Sequence, residues 1–443
     1  MSSVTIGTLF LSLLSPLVAA SNFKVEGFKP KAFQVPSPNV VTSNVLSLTR
    51  HAGSQTRSTR ALQALQYESG VSNLTSEGMG QEFLTSITIG TNSAQVVLDT
   101  GSSDTWLAET GFQCVTIATG APRPEKACKF GPLFTPSSTF KQIPDVNFNI
   151  TYGDLEFLTG IFGTDSVTLA QIKVPKQHVA LVNLAAWDGD GVSSGLVGMA
   201  YPSLTDEFNG TNPHVDSSSN LILYDPVVTT MIKDKLIDPL FSLAIDRGDG
   251  FGGYLAIGGL PPVKYANTFA TTPIQILKLA AYNLTTVYSF YTITADGYTY
   301  SNTSSASIDY EVGQYGHVVD TEDPKKFQAI VDSGTTLVYL PNALANAINA
   351  EFDPPAKWSN DQGAFVVDCN AKAPNFGVVI GNETLQVNPK DMILKSGKIC
   401  ITGVSRGNPG PYILGDVFLK SVVAVFDIGA SEMRFAAREF YTV

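Results

Sequence analysis

Val97-Leu98-Asp99-Thr100-Gly101-Ser102-Ser103-Asp104-Thr105-Trp106-Leu107 is echoed far downstream by Ile330-Val331-Asp332-Ser333-Gly334-Thr335-Thr336-Leu337-Val338-Tyr339-Leu340. Each copy is an apolar run ending in Asp-[Thr/Ser]-Gly-[Ser/Thr]. Each is followed by an apolar-apolar-Gly element, Gly195-Leu196-Val197-Gly198 after the first and Tyr412-Ile413-Leu414-Gly415 after the second. A weak repeat on this scale reads as a duplicated β lobe, each lobe presenting one aspartate. A carboxylate at a strand end needs donors, and the following glycine lets the turn bring backbone N–H groups and a hydroxyl onto it. Two such carboxyls brought together cannot both ionise, so one keeps a proton while the other serves as a base. That pair can activate a water and protonate a carbonyl, which is hydrolysis without a metal or a covalent intermediate.

The surrounding sequence fits lobes made of strands. From Phe83 onward, short alternating or β-branched runs recur, such as Ser86-Ile87-Thr88-Ile89, Gln95-Val96-Val97-Leu98, Phe241-Ser242-Leu243-Ala244-Ile245 and Val422-Val423-Ala424-Val425-Phe426. Gly, Asn, Asp and Pro punctuate them, which predicts an all-β body. Helices are expected to be few, with Pro226 to Leu236 and Pro341 to Phe352 the best candidates, each opened by a proline. At 443 residues the chain exceeds one compact domain.

Charge divides the chain as well. It carries -11 overall, with only 15% charged residues. Lys24, Lys29, Lys31, Arg50, Arg57 and Arg60 against Glu26 leave residues 1–66 at +5 and the remainder at -16. An acidic body repels phosphate backbones and argues against nucleic-acid partners. Met1 to Ala20 holds an interrupted apolar stretch ending in Val18-Ala19-Ala20, the pattern of a signal peptide, although its first residues lack a positive charge. Six N-x-[ST] sequons, at Asn73, Asn149, Asn209, Asn283, Asn302 and Asn382, agree with export. The reading is a secreted product, with the vacuole as the other destination, and no membrane anchor at its end.

At the two aspartate motifs, at the Trp seven residues after the first aspartate and at Ile413-Leu414-Gly415-Asp416-Val417-Phe418, the sequence resembles the pepsin-like aspartic peptidases from about residue 80 to 443. The resemblance implies an all-β, bilobal fold with two duplicated lobes and a central cleft that binds substrate chains in extended form. It divides the chain into a signal peptide at 1–20, a propeptide at 21–75, an N-terminal lobe at 76–260 carrying Asp99 and the flap, and a C-terminal lobe at 261–443 carrying Asp332. It makes Asp99 and Asp332 the catalytic pair, supported by Gly101, Ser102, Gly334 and Thr335. Asn149-Ile150-Thr151-Tyr152-Gly153-Asp154 matches the mobile hairpin, or flap, with Tyr152 closing over substrate and Trp106 hydrogen-bonding its hydroxyl. Asp154 matches a flap aspartate that favours lysine before the scissile bond. Leu155-Glu156-Phe157-Leu158 departs from the usual small tip.

The resemblance further implies local disulfides, Cys114 with Cys128 and Cys369 with Cys400, among the three pairings four cysteines allow. It implies a basic propeptide side chain that inhibits the dyad until acidification, no cofactor or metal, and a monomer. A glycan on Asn149 would crowd the flap base, so that sequon is expected to be unoccupied. The stretch from Tyr282 to Gln328 exceeds what the family core needs and reads as a decorated hairpin at the cleft edge. Gly191-Val192-Ser193-Ser194-Gly195 fits a hydrolase nucleophile elbow, but no strand precedes Ser193. Gly248-Asp249-Gly250-Phe251-Gly252-Gly253 fits a dinucleotide fingerprint, yet lies between two strand-like runs and reads as a hairpin turn. The competing reading is a catalytically silent binding module, against which both aspartates and the flap tyrosine stand.

Overall fold

The computed structural model describes residues 40–52, 81–152, 155–247, 251–277, 287–301, 327–396, 399–408 and 410–438. Strands dominate, and the two helices expected from the sequence occur as Val227–Lys233 and Asn342–Ala350. Both are short, and each packs apolar side chains such as Met231 and Ile348 into the core.

The sequence repeat is a topological repeat. Strand Asn92–Asp99 runs parallel to Gly195–Gly198, with Val97 opposite Leu196 and Asp99 opposite Gly198. The latter strand also pairs antiparallel with Thr105–Val115. In the second lobe, strand Gln328–Val331 runs parallel to Tyr412–Leu414, with Ile330 opposite Ile413, and Tyr412–Leu414 pairs antiparallel with Val338–Leu340. In both lobes the apolar-Gly strand is therefore wedged between the strand that delivers the aspartate and the strand that follows it. Strands buried on both faces need continuous apolar runs, which is why these segments read Leu-Val and Ile-Leu without alternation.

A platform of antiparallel strands joins the lobes. Leu240–Ile245 pairs with both Phe251–Ile257 and Val422–Asp427, and Glu432–Ala437 pairs with Val422–Asp427 and with Ala270–Pro273. Phe241 and Phe426 stack across it at 4.5 Å between ring centroids. Strand Val45–Ala52, from the basic front of the chain, joins the same platform between Phe251–Ile257 and Gln81–Ile89.

The stretch expected as a cleft-edge decoration is in part framework. Residues 278–286 and 302–326 lie outside the described residues. Between them, Thr292–Thr294 pairs with the Asp332 strand and Gly297–Ser301 pairs with Asn375–Ile380. The alternation Tyr298-Thr299-Tyr300 buries its two tyrosines, and apolar surface under a strand places these residues in the core rather than on the rim. Both disulfides form locally, Cys114 with Cys128 and Cys369 with Cys400.

Candidate active site

Asp99 and Asp332 are brought together at the junction of the lobes, both 0% exposed. Each receives the same two donors. Asp99 accepts the Gly101 N–H at 2.8 Å on Oδ1 and the Ser102 hydroxyl at 2.6 Å on Oδ2. Asp332 accepts the Gly334 N–H at 2.8 Å on Oδ1 and the Thr335 hydroxyl at 2.6 Å on Oδ2. The two carboxyls also share a hydrogen bond. Burial, and then the neighbouring charge of Asp99, push the Asp332 carboxyl up to about 7 against the opposing pull of the Thr335 and Gly334 bonds.

The glycines are fixed by the opposite lobe. A Cβ on Gly101 would stand 2.6 Å from Asp332 Oδ1, and one on Gly334 would stand 2.3 Å from Asp99 Oδ1. The residue between aspartate and glycine clamps the lobes together. Thr100 Oγ1 donates to the Val331 carbonyl at 3.2 Å and accepts the Ser333 N–H at 2.9 Å. Ser333 Oγ donates to the Leu98 carbonyl at 3.0 Å and accepts the Thr100 N–H at 3.2 Å. Sequence reasoning missed Thr100 and Ser333, although a hydroxyl at that place in both copies was the available signal.

The hairpin of Val146–Thr151 and Phe157–Leu169 carries Tyr152 at its tip. Trp106 Nε1 donates to the Tyr152 hydroxyl at 2.7 Å, and both side chains are buried. Trp187 packs its ring against both, at 5.2 Å from Trp106 and 5.8 Å from Tyr152 between centroids. Gly153 and Asp154 lie outside the described residues. The Asn149 side-chain amide donates to the Pro213 carbonyl at 2.9 Å and to Asp216 at 3.0 Å.

Behind the Asp332 turn, the Asp416 N–H donates to the Thr335 carbonyl at 2.8 Å. Burial holds the Asp416 carboxyl well above the usual range, offset in part by Lys420 and reinforced by the charges of Asp332, Glu82 and Asp99. The two sequence decoys have structural roles. Ser193 is buried with its hydroxyl donated to Asp190 at 3.0 Å. Strands Leu240–Ile245 and Phe251–Ile257, which flank the glycine-rich stretch, form an antiparallel pair.

Of the six basic residues at the front of the chain, the described residues include Arg50 alone. Its guanidinium donates to the Arg247 carbonyl within the platform.

The family model of eukaryotic aspartyl proteases matches residues 82–438. A protein of Aspergillus fumigatus named as a probable aspartic-type endopeptidase is 40% identical over 98% of this chain and 99% of its own length. Rhizopuspepsin-2 of Rhizopus niveus is 28% identical over 80% of this chain and 78% of its own. The crystal structure of an aspartic proteinase from Irpex lacteus superposes with a TM-score of 0.58 at 20% identity, covering 82% of this chain and 96% of that one, which speaks for the shared bilobal fold. The duplicated aspartate turns, the lobe topology and these likenesses agree, and the chain belongs to the eukaryotic, pepsin-like aspartyl proteases as an aspartic-type endopeptidase.

Proposed function

We propose that the chain is made as a secreted zymogen and hydrolyses peptide bonds in acid through Asp99 and Asp332. The observation that carries this reading is the pair of matched donor sets on two fully buried, mutually hydrogen-bonded carboxyls. Donors fix each outer oxygen, so the reacting faces turn toward one another with one proton between them. Aspartic proteases are themselves the standard example of this like-charge effect. The ionised carboxylate takes a proton from a water as its oxygen attacks the scissile carbonyl carbon, and the protonated carboxyl donates to the carbonyl oxygen. The tetrahedral diol then collapses as a proton passes to the leaving nitrogen, and the C–N bond breaks. Each step moves a proton over one hydrogen bond, the distance general acid–base catalysis requires.

Tyr152, followed in the sequence by Gly153, serves as the flap residue over an extended substrate, and Asp154 confers tolerance for lysine before the scissile bond. The basic front supplies the inhibitory propeptide, with self-processing at low pH because it contains no dibasic site. In support of that role, strand Val45–Ala52 is docked in the platform that joins the lobes. Residues 1–20 direct export, and Asn209 and Asn382, both exposed, are sequons open to glycosylation.

The test is hydrolysis of an unfolded protein between pH 3 and 5 by the wild type and by Asp99→Asn and Asp332→Asn. Loss of about 10³-fold or more in either variant, with inhibition of the wild type by a pepstatin-type transition-state mimic and not by a serine-directed reagent, supports the assignment. Activity retained in both variants would overturn it.

A further inference from the structure

We propose that Glu156 is a positioning residue that latches the flap hairpin to a wall formed by residues 187–189, just past strand Ile172–Ala186. Glu156 immediately precedes strand Phe157–Leu169, on the returning leg of the hairpin. A carboxyl near a hairpin tip ordinarily reaches into water, yet this one is 2% exposed. Burying a carboxylate is costly unless donors meet it. Its Oε1 accepts the backbone N–H of Asp188 at 2.7 Å.

Strand register explains why that donor is available. Phe157–Leu169 and Ile172–Ala186 pair antiparallel, and the ladder ends at Phe157 opposite Ala186. Beyond that point the N–H of Asp188 donates to a side chain instead of a strand carbonyl. The Glu156 carboxylate takes that place, so a side chain carries the pairing past its last backbone rung.

Both ends of the latch are anchored. At the flap end, the Glu156 carbonyl accepts the Tyr152 N–H at 2.7 Å, so the residue whose carboxylate grips the wall also closes the turn that carries the flap tyrosine. At the wall end, the Asp188 carboxylate meets Lys129 Nζ at 2.8 Å, and Gly189 N–H donates to the Cys128 carbonyl at 2.9 Å. Cys128 is bonded to Cys114. The wall is thus tied to a covalently closed loop, and Glu156 ties the flap to the wall. Trp187, adjacent to Asp188, is the ring on which Tyr152 leans.

A flap held in register before substrate arrives spares binding the entropy of ordering it. Removing the latch should therefore weaken substrate binding more than it slows chemistry. The kinetic consequence rests on the peptidase reading above, whereas the structural one does not. Glu156→Ala is expected to raise KM for a peptide spanning the cleft by about tenfold, the cost of leaving one buried donor without its acceptor, with kcat changed by less than about twofold.

Amide exchange at Tyr152 and Asp188 is expected to quicken by at least about tenfold. Glu156→Gln keeps the acceptor and should restore most of both. Glu156→Ser is read in the same way if the alanine variant does not fold. Unchanged exchange in the alanine or serine variant, a glutamine variant as impaired as alanine, or a fall in kcat at constant KM would each overturn the latch. A wild type inactive on every peptide, with exchange behaving as expected, would sink the catalytic reading alone.

Discussion

The glycine of each aspartate turn answers to a carboxylate on the opposite lobe. Local turn geometry alone would let alanine replace either one at modest cost, because neither has a positive φ. The close approach forbids it: a methyl on Gly334 must move Asp99, and one on Gly101 must move Asp332. Gly334→Ala is expected to lower kcat by about 10²-fold, since a misplacement of about 1 Å at reacting groups costs that much. The check is a kcat that falls while KM for the same peptide moves little.

The protonation of Asp332 makes a second prediction at this scale. Its carboxyl is pushed up to about 7, so it keeps the proton the mechanism needs below that pH and loses it above. Activity should fall on the alkaline side with an apparent pKa near 7. Thr335 donates to the ionised form and holds the value down, so Thr335→Ala should move that limb to higher pH. A limb that moves down in the variant would contradict the assignment. The two aspartates and their hydroxyl donors were legible in the sequence because the Asp-[Thr/Ser]-Gly-[Ser/Thr] pattern occurs twice. Thr100 and Ser333 were not, because their partners lie on the other lobe and no single turn reveals them.

Among the elements, strand Val45–Ala52 was the least legible. Residues 21–75 look weakly periodic as a whole, yet Leu46-Ser47-Leu48-Thr49 alternates with period two, and Leu48 is buried while Ser47 and Thr49 are exposed. Four alternating residues are too few to stand out in a Ser- and Thr-rich segment, and the strand exists because two flanking strands supply its ladder partners. The helices, by contrast, announced themselves through their opening prolines. If the front of the chain is part of the fold before processing, the buried Leu48 side chain should contribute to stability. Leu48→Ala in an Asp99→Asn background, chosen so that the proposed self-processing cannot remove the strand, is expected to destabilise the full chain by about 2–3 kcal/mol. Urea unfolding at pH 6 measures it, and a change under about 0.5 kcal/mol would mean the strand is not docked in solution.

At the scale of the molecule, two lobes with one aspartate each were readable from the repeat, whereas the platform joining them was not, since its strands come from distant parts of the chain. The low charged fraction likewise concealed where the remaining charges sit. Several acids are buried together in the first lobe. Asp104 is wholly buried, accepting the Tyr224 hydroxyl at 2.6 Å and the Asp206 N–H at 3.2 Å. Glu207 stands beside this group with His178 at 2.7 Å, and the His178 ring stacks on Tyr224 at 4.9 Å.

Burial, opposed by the Tyr224 and Asp206 bonds and reinforced by the charge of Glu207, raises Asp104 to about 7. Burial and the charge of Asp104 hold Asp206 well above the usual range. A carboxyl whose folded-state value lies above its unfolded one favours the fold only while it is protonated. The lobe should therefore keep its stability in acid and lose it progressively between the ordinary carboxylate range, about 4, and 7. Neutral pH then threatens the architecture as well as the chemistry. Asp104→Asn keeps an acceptor for Tyr224 and cannot ionise. Its Tm at pH 7.5 is expected to exceed the wild-type value by roughly 3–6 °C, with a difference under about 1 °C at pH 3.5. Equal gains at both pH values would show that packing, and not ionisation of this buried group, governs the lobe's tolerance of neutral pH.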